Sequence, residues 1–377
     1  MRIGFDGKRA VQNFTGLGNY SRYVADILCH FYPENDYVLY APKKRENKRM
    51  NLLTGQYRQL TLAYPATFFW KKLSSLWRVW GITSQLEKEG IELFHGLSNE
   101  LPLNIHKSRI KSIVTIHDLI FLRYPQYYQS IDRKIYTYKF RKACENADKI
   151  IAISECTKRD IIRYFNIPDD KIEVVYQGCD VSFTHPVTEE KKEEVRKKYQ
   201  LPDHYILNVG SIEERKNILA AVQALPMLPQ HIHIVIVGRR TGYTEKVEQF
   251  IKDNGLGERV HIISNVPFND LPAFYQSAEI FVYPSRFEGF GIPIIEALYS
   301  GIPVVAATGS CLEEAGGPDS IYVNPDDITG LADAFKQIYS NSDKRKNMVE
   351  KGREFAKRFS EKQQSEEMIN IYKKLIR

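Results

Sequence analysis

Residues 280–297 read IFVYPSRFEGFGIPIIEA. Apolar, β-favouring residues stop at Pro284, a glycine-rich turn follows, and Pro293 stands where a first helical residue belongs. A strand, a tight turn and a helix follow one another without a break. Such a turn delivers the N–H groups around Gly291 to a helix N-terminus, where an anion or sugar hydroxyls can be held. Glu288 lies in the turn and Glu296 one turn into the helix, so both can face one cleft. A carboxylate only accepts hydrogen bonds, which suits it to the paired hydroxyls of a hexose or a ribose. The plain alternative is a capped helix with surface glutamates.

The same alternation of strand and helix runs outward in both directions. Strands are expected at 2–5, 37–40, 112–116, 150–153 and 173–176, then at 205–209, 233–237, 260–263, 280–283 and 303–306. Most are continuous Val/Ile-rich runs, the pattern of parallel strands buried on both faces. The fold class is therefore α/β, with two Rossmann-like doubly wound domains. A polar stretch with charges at helical spacing, after Asp180, marks the boundary near 180–200. Ligands of open α/β sheets bind at the carboxyl ends of the strands, so two such sheets facing each other would enclose one cleft.

Composition narrows the class. Of 377 residues, 43% are apolar and 26% charged, as in a globular protein. No apolar run is long enough to span a bilayer, and MRIGFDGKRA lacks the apolar region of a signal peptide, so a cytoplasmic chain is expected. Five cysteines (Cys29, Cys144, Cys156, Cys179, Cys311) are dispersed without a CxxC, which fits reduced thiols. Residues 1–180 hold 28 Lys+Arg against 19 Asp+Glu, net +9, while the remainder holds 25 against 27, net −2. A basic N-terminal half attracts phosphates, nucleic acid or anionic membrane.

Three further places can carry chemistry. Thr15-Gly16-Leu17-Gly18 precedes a helix with an apolar face of Tyr20, Tyr23, Val24, Ile27, Leu28 and Phe31; its glycines admit a ligand or serve packing. Val209-Gly210-Ser211-Ile212-Glu213-Glu214-Arg215-Lys216-Asn217 sets two cations at a strand end, suited to a diphosphate or simply paired with the glutamates. His117, in TIHD at the end of a first-domain strand, can bond a sugar hydroxyl or be a satisfied structural histidine. Residues 68–80, FFWKKLSSLWRVW, hold all three tryptophans. Phe69, Leu73, Leu76, Trp77 and Trp80 fall on one helical face, with Lys71, Lys72 and Arg78 off it, so the helix rests on an anionic bilayer or packs into the core.

Together these residues resemble the retaining group 1 (GT4-like) glycosyltransferases of the GT-B fold. EGFGIPIIE looks like that family's E-x7-E signature and VGSIEERKN like its diphosphate loop; TGLGNYSRYV, TIHDL, IAISECTKRDI and SGIPVVAATGSCLEEAGG fall at its other landmarks. The resemblance implies a hexosyltransferase in which Arg215 and Lys216 neutralise the donor diphosphate and Glu296 holds the ribose. Glu288, with the backbone of Phe290, Gly291 and Ile292, would hold the transferred sugar, and His117 would approach it from the other domain. Gly16 and Gly18 would close on the phosphates beside Gly210. Residues 1–182 would bind acceptor, 183–359 donor, and 360–377 would cross back to the first domain. Ser211 stands where many members carry Arg; the form resembles a variant of mannosyltransferases, so GDP-mannose is the expected donor.

No D-x-D triplet offers a metal seat, so no metal or other cofactor is expected. The expected partners are the nucleotide sugar and a saccharide or lipid-linked acceptor of cell-surface polysaccharide synthesis, with peripheral membrane contact through 68–80 and no nucleic acid. A sugar-nucleotide epimerase and a non-catalytic sugar-nucleotide-binding scaffold are the alternatives. A nicotinamide dehydrogenase would want a third glycine after Gly18, and position 21 is Ser21.

Overall fold

A computed structural model describes residues 1–13 and 16–376; Thr15 of the glycine-rich turn and Arg377 lie outside the described residues. The chain forms two compact units, one of Met1–Tyr176 with Glu361–Arg377 and one of Gln177–Ser360.

Unit 1 is built on β1 (Arg2–Asp6), β2 (Asp36–Tyr40), β3 (Leu60–Ala63), β4 (Leu93–Gly96), β5 (Lys111–Ile116), β6 (Lys149–Ala152) and β7 (Ile172–Val174), all parallel in the order β3-β2-β1-β4-β5-β6-β7. Alternate strand residues feed two cores. Ile3, Tyr37, Leu39, Leu93 and Ile113 pack with helices Gly16–Phe31 and Glu361–Ile376. Val38, Tyr40, Phe94, Val114 and Ile116 pack on the opposite face with Trp77, Ile161 and Phe165. Burial on both faces is why these strands read as continuous apolar runs.

Unit 2 contains β8 (Tyr205–Val209), β9 (His233–Val237), β10 (Val260–Ile263), β11 (Ile280–Tyr283), β12 (Val304–Ala307) and β13 (Ile321–Val323), parallel in the order β10-β9-β8-β11-β12-β13. Strand order reverses between β8 and β11, and the loops leaving their carboxyl ends therefore diverge around an opening suited to a ligand.

Three expectations need correction. First, the division falls at Tyr176/Gln177 and not at 182/183, because Phe183 is fully buried against Tyr275 and Phe268 of unit 2. Second, β3, β4 and β13 were not anticipated. β3 and β13 are short edge strands, and β4 reads LFHG, whose His95 and Gly96 hide it among loop-like residues. Third, 68–80 is not one helix. It breaks into Phe68–Lys72 and Ser74–Leu76 and then a π turn, Trp77–Gly81. The π turn rotates Trp77 to full burial and sends Arg78 inward, where it pairs with Asp6 and, at 2.6 Å, with Glu100.

All five cysteines are buried. Among the described residues no helix is long and apolar enough to cross a membrane.

Candidate active site

In unit 2 the site grows out of two adjacent turns. β8 ends at Val209, and the N–H of Gly210 donates to Val237 at 2.9 Å. Residues Glu214–Lys216 make one 3₁₀ turn, closed by Asn217 in the left-handed region at φ 55°. The Asn217 amide donates to the carbonyls of Pro284 (3.2 Å) and Pro325 (2.8 Å). This fastens the turn after β8 to the turn after β11. A further bond, Arg286 N–H to the Arg215 carbonyl at 2.9 Å, completes the join.

The result is a compact charge cluster. Arg215 reaches Glu288 Oε2 at 2.8 Å and Lys216 reaches Oε1 at 3.3 Å. Tyr283 accepts from Lys216 Nζ at 2.8 Å and donates to Glu288 Oε1 at 3.1 Å. Arg215 also donates to the Phe287 carbonyl. Burial works against the Glu288 carboxylate, but Lys216 and Arg215 outweigh it and hold its pKa at about 2. Burial likewise opposes the Lys216 ammonium, and Glu288 more than restores it, so the net shift is upward. All three side chains stay ionised at neutral pH and remain 12–16% exposed, so solvent or a ligand can still reach them.

Gly291 then starts the helix Ile292–Ser300 with φ 142°, a conformation an L side chain rarely adopts; a Cβ there would also sit 3.2 Å from Ala315 and Leu312. The glycine therefore offers no side chain to the first-turn N–H groups, which keep their positive end toward the turn. Cys311 braces the same segment, its thiol donating to the carbonyls of Glu288 (3.0 Å) and Phe290 (2.7 Å). One turn into the helix, Glu296 is half-buried and accepts from the Tyr275 hydroxyl at 2.6 Å. Desolvation pushes its carboxyl up to about 7. Unit 2 thus holds Gly210, Arg215, Lys216, Glu288, Phe290, Gly291, Ile292 and Glu296 along one pair of turns.

His117 and the two N-terminal glycines belong to unit 1. His117 follows β5 and is 7% exposed. Its N–H donates to Asn99 Oδ1 at 2.7 Å, and Nε2 donates to the Leu97 carbonyl at 2.9 Å, which fixes the neutral tautomer. Burial lowers its pKa to about 4, so it is uncharged at neutral pH. The Tyr20 ring meets it edge-on at 4.6 Å. Gly18 is inside its helix, where a Cβ would strike the Asn13 carbonyl at 2.0 Å, so packing accounts for it. A Cβ on Gly16 would meet nothing within 4 Å, which leaves open space at the start of that helix.

Several supporting residues escaped the sequence reading. Tyr275, Tyr283, Asn217 and Cys311 act on the site from separate elements of unit 2. In unit 1, His95 on β4 links Tyr372 of the last helix (Nδ1 to hydroxyl, 2.6 Å) with Thr115 (Nε2 to Oγ1, 2.8 Å). Thr115 in turn meets the Tyr20 hydroxyl at 3.3 Å. Tyr20, Thr115, Asn217, Tyr283 and Cys311 sat in stretches already singled out, and a polar side chain at a strand end was the available signal for Tyr283. Among the described residues no group of three or more His, Cys, Asp or Glu is placed to hold a metal ion.

The profile of the glycosyl transferases group 1 family matches residues 189–355, and that of glycosyltransferase family 4 matches 21–183. The O-antigen chain mannosyltransferase B of Escherichia coli is 31% identical over 75% of this chain and 74% of its own length. The O-antigen chain mannosyltransferase RfbU of Salmonella typhimurium is 29% identical over 60% of each chain. Among solved structures, HepE of Anabaena in complex with UDP and glucose shares the fold with a TM-score of 0.77 at 18% identity, covering 100% of both chains. Two Rossmann-like units of the GT-B class, the double-glutamate turn and helix, and a relative matched across three quarters of the chain make this protein a member of the group 1 glycosyltransferases.

Proposed function

We infer that the chain transfers mannose from GDP-mannose, with retention of anomeric configuration, to a saccharide or lipid-linked saccharide in surface polysaccharide synthesis. The observation that carries this is the Arg215–Glu288–Lys216 cluster at the β8/β11 strand reversal. Two cations and one carboxylate leave a net positive charge facing a helix N-terminus, the complement of a nucleotide diphosphate. A donor diphosphate competes with Glu288 for Arg215 and Lys216. As it takes them, the Glu288 oxygens become free to accept hydroxyls of the sugar. Charge then builds on the departing diphosphate, where the two cations and the amides after Gly291 are already aimed, so stabilisation needs no reorganisation. Glu296, in its ionised form, accepts the two ribose hydroxyls. His117, uncharged at neutral pH, adds no positive charge of its own to oppose the one that develops on the sugar ring.

Mannose rests on the two curated relatives, both named as O-antigen chain mannosyltransferases. The acceptor is met at the cytoplasmic face of a membrane, reached through 68–80, where Phe68 and Phe69 are 73% and 60% exposed beside Lys71 and Lys72.

A panel of GDP-, UDP-, ADP- and dTDP-sugars in thermal-shift measurements tests the donor. GDP-mannose at 100 times its Kd should add about 2.7 kcal/mol of stability. Arg215→Ala and Lys216→Ala should weaken that shift. Stabilisation by UDP-sugars alone removes GDP-mannose from the reading, and none by any nucleotide sugar removes the transferase mechanism.

A further inference from the structure

The helix Ser130–Asn146 of unit 1 presents an unusual outer side. Ile131, Ile135 and Tyr138, spaced i, i+4 and i+7, are 71%, 45% and 55% exposed. Beside this stripe Arg133, Lys134, Thr137, Tyr138 and Arg141 line an open groove of about 650 Å³. No carboxylate lines it. None of its three cations joins an ion pair among the described residues, and the Arg133 Nε is buried with no hydrogen-bond partner. Arg141 lies over the Phe165 ring and donates to the Tyr164 carbonyl at 3.2 Å. Downstream, Lys142 pairs with Glu145 at 2.7 Å on the same helix.

Unpaired cations next to exposed branched and aromatic side chains match one kind of surface closely. An anionic bilayer sets phosphate oxygens immediately beside hydrocarbon, and an amphipathic helix satisfies both at once. The helix is also joined to the tryptophan segment: Glu100 accepts from Arg78 at 2.6 Å and lies 3.6 Å from Lys139.

We propose that this helix docks unit 1 on an anionic membrane, with lipid phosphates in the Arg133–Lys134–Arg141 groove and Ile131, Ile135 and Tyr138 entering the interface. The proposal rests on the membrane contact inferred above and adds a second, separately testable leg to it. A single shallow apolar contact binds a bilayer only marginally, whereas apolar contact combined with basic residues holds. Each Lys or Arg near an anionic leaflet strengthens binding about fivefold.

Full-length protein is sedimented with vesicles of phosphatidylcholine alone and of phosphatidylcholine mixed with phosphatidylglycerol. The variants are Lys134→Gln/Arg141→Gln and Ile131→Ser/Ile135→Ser, and all four positions are exposed. Wild type should bind the mixed vesicles and not the neutral ones. The charge variant should lose about 30-fold in partitioning, from two charges removed, and the serine variant should also bind more weakly. Donor-induced thermal shift on the same preparations reports on unit 2 and should be unchanged, so loss of docking and loss of the donor site are separately visible. Wild-type binding to neutral vesicles, or variants that bind as wild type does, overturns the proposal. So does self-association of the wild type in light scattering that both variants abolish while no vesicle is bound, because the face would then meet a second copy of the chain.

Discussion

Donor binding should expel a proton from Glu296. Its carboxyl is desolvated and accepts from Tyr275 alone at 2.6 Å, which places its pKa at about 7. Ribose hydroxyls donate to the ionised form and favour it, so binding pulls the pKa back toward its ordinary value of 4.5. The fraction protonated before binding then sets the protons released. That is about 0.9 at pH 6, about 0.5 at pH 7 and about 0.1 at pH 8. Isothermal titration calorimetry with GDP-mannose in two buffers of different ionisation enthalpy reads this number directly. The sugar nucleotide has no group titrating in this range, and Glu288 and His117 titrate well below it, at about 2 and about 4. Glu296→Gln should bind with no pH-dependent proton exchange. Binding by wild type that releases no proton anywhere between pH 6 and 8 would refute the assignment of Glu296 to the ribose.

Other consequences follow from the same geometry. His117 has its folded-state pKa depressed from 6.5 to about 4, so its contribution to unit 1 stability is held above about pH 6.5 and lost as pH falls toward 4; the shift corresponds to about 3 kcal/mol, and urea unfolding of wild type and His117→Gln at pH 7 and pH 4.5 should show a smaller acid loss in the variant. Tyr372→Phe strips the partner from buried His95 Nδ1 and should cost about 1–3 kcal/mol in the same measurement. Cys311→Ala removes the brace on the Glu288 and Phe290 carbonyls, and donor Kd should rise by several-fold while Cys311→Ser stays near wild type. Gly291→Ala forces a side chain into φ 142° and against Ala315, costing on the order of 1–3 kcal/mol in thermal melts.

What the sequence disclosed was what lies close together along the chain. Runs such as YILNV and HIVIV announce strands because both of their faces are buried. Glu288, Gly291 and Glu296 sit within one βα unit, so spacing alone gathers them. The contact between Arg215 and Glu288 is different in kind: it spans the β8/β11 pairing, which periodicity does not reveal, and it emerges only in the folded structure. Tyr275 and Cys311 reach the site from other helices and carry no local signature. β4 was hidden because a central strand here carries a histidine and a glycine, and with it went the His95 network. The segment at 68–80 misled for a physical reason. Its periodicity fits one helix, but a π turn interrupts it, burying Trp77 and turning Arg78 inward to Asp6 and Glu100.

The last helix bears on how the chain is made. Met368, Ile369, Ile371 and Tyr372 are core residues of unit 1, yet they are translated after every residue of unit 2. During synthesis, unit 2 can close its own core while the first unit waits with an open apolar furrow along helix Gly16–Phe31. Stopping translation after residue 360 would strand that furrow in water, so a fragment of 1–176 calls for a grafted copy of the terminal helix before it behaves as an independent folding unit.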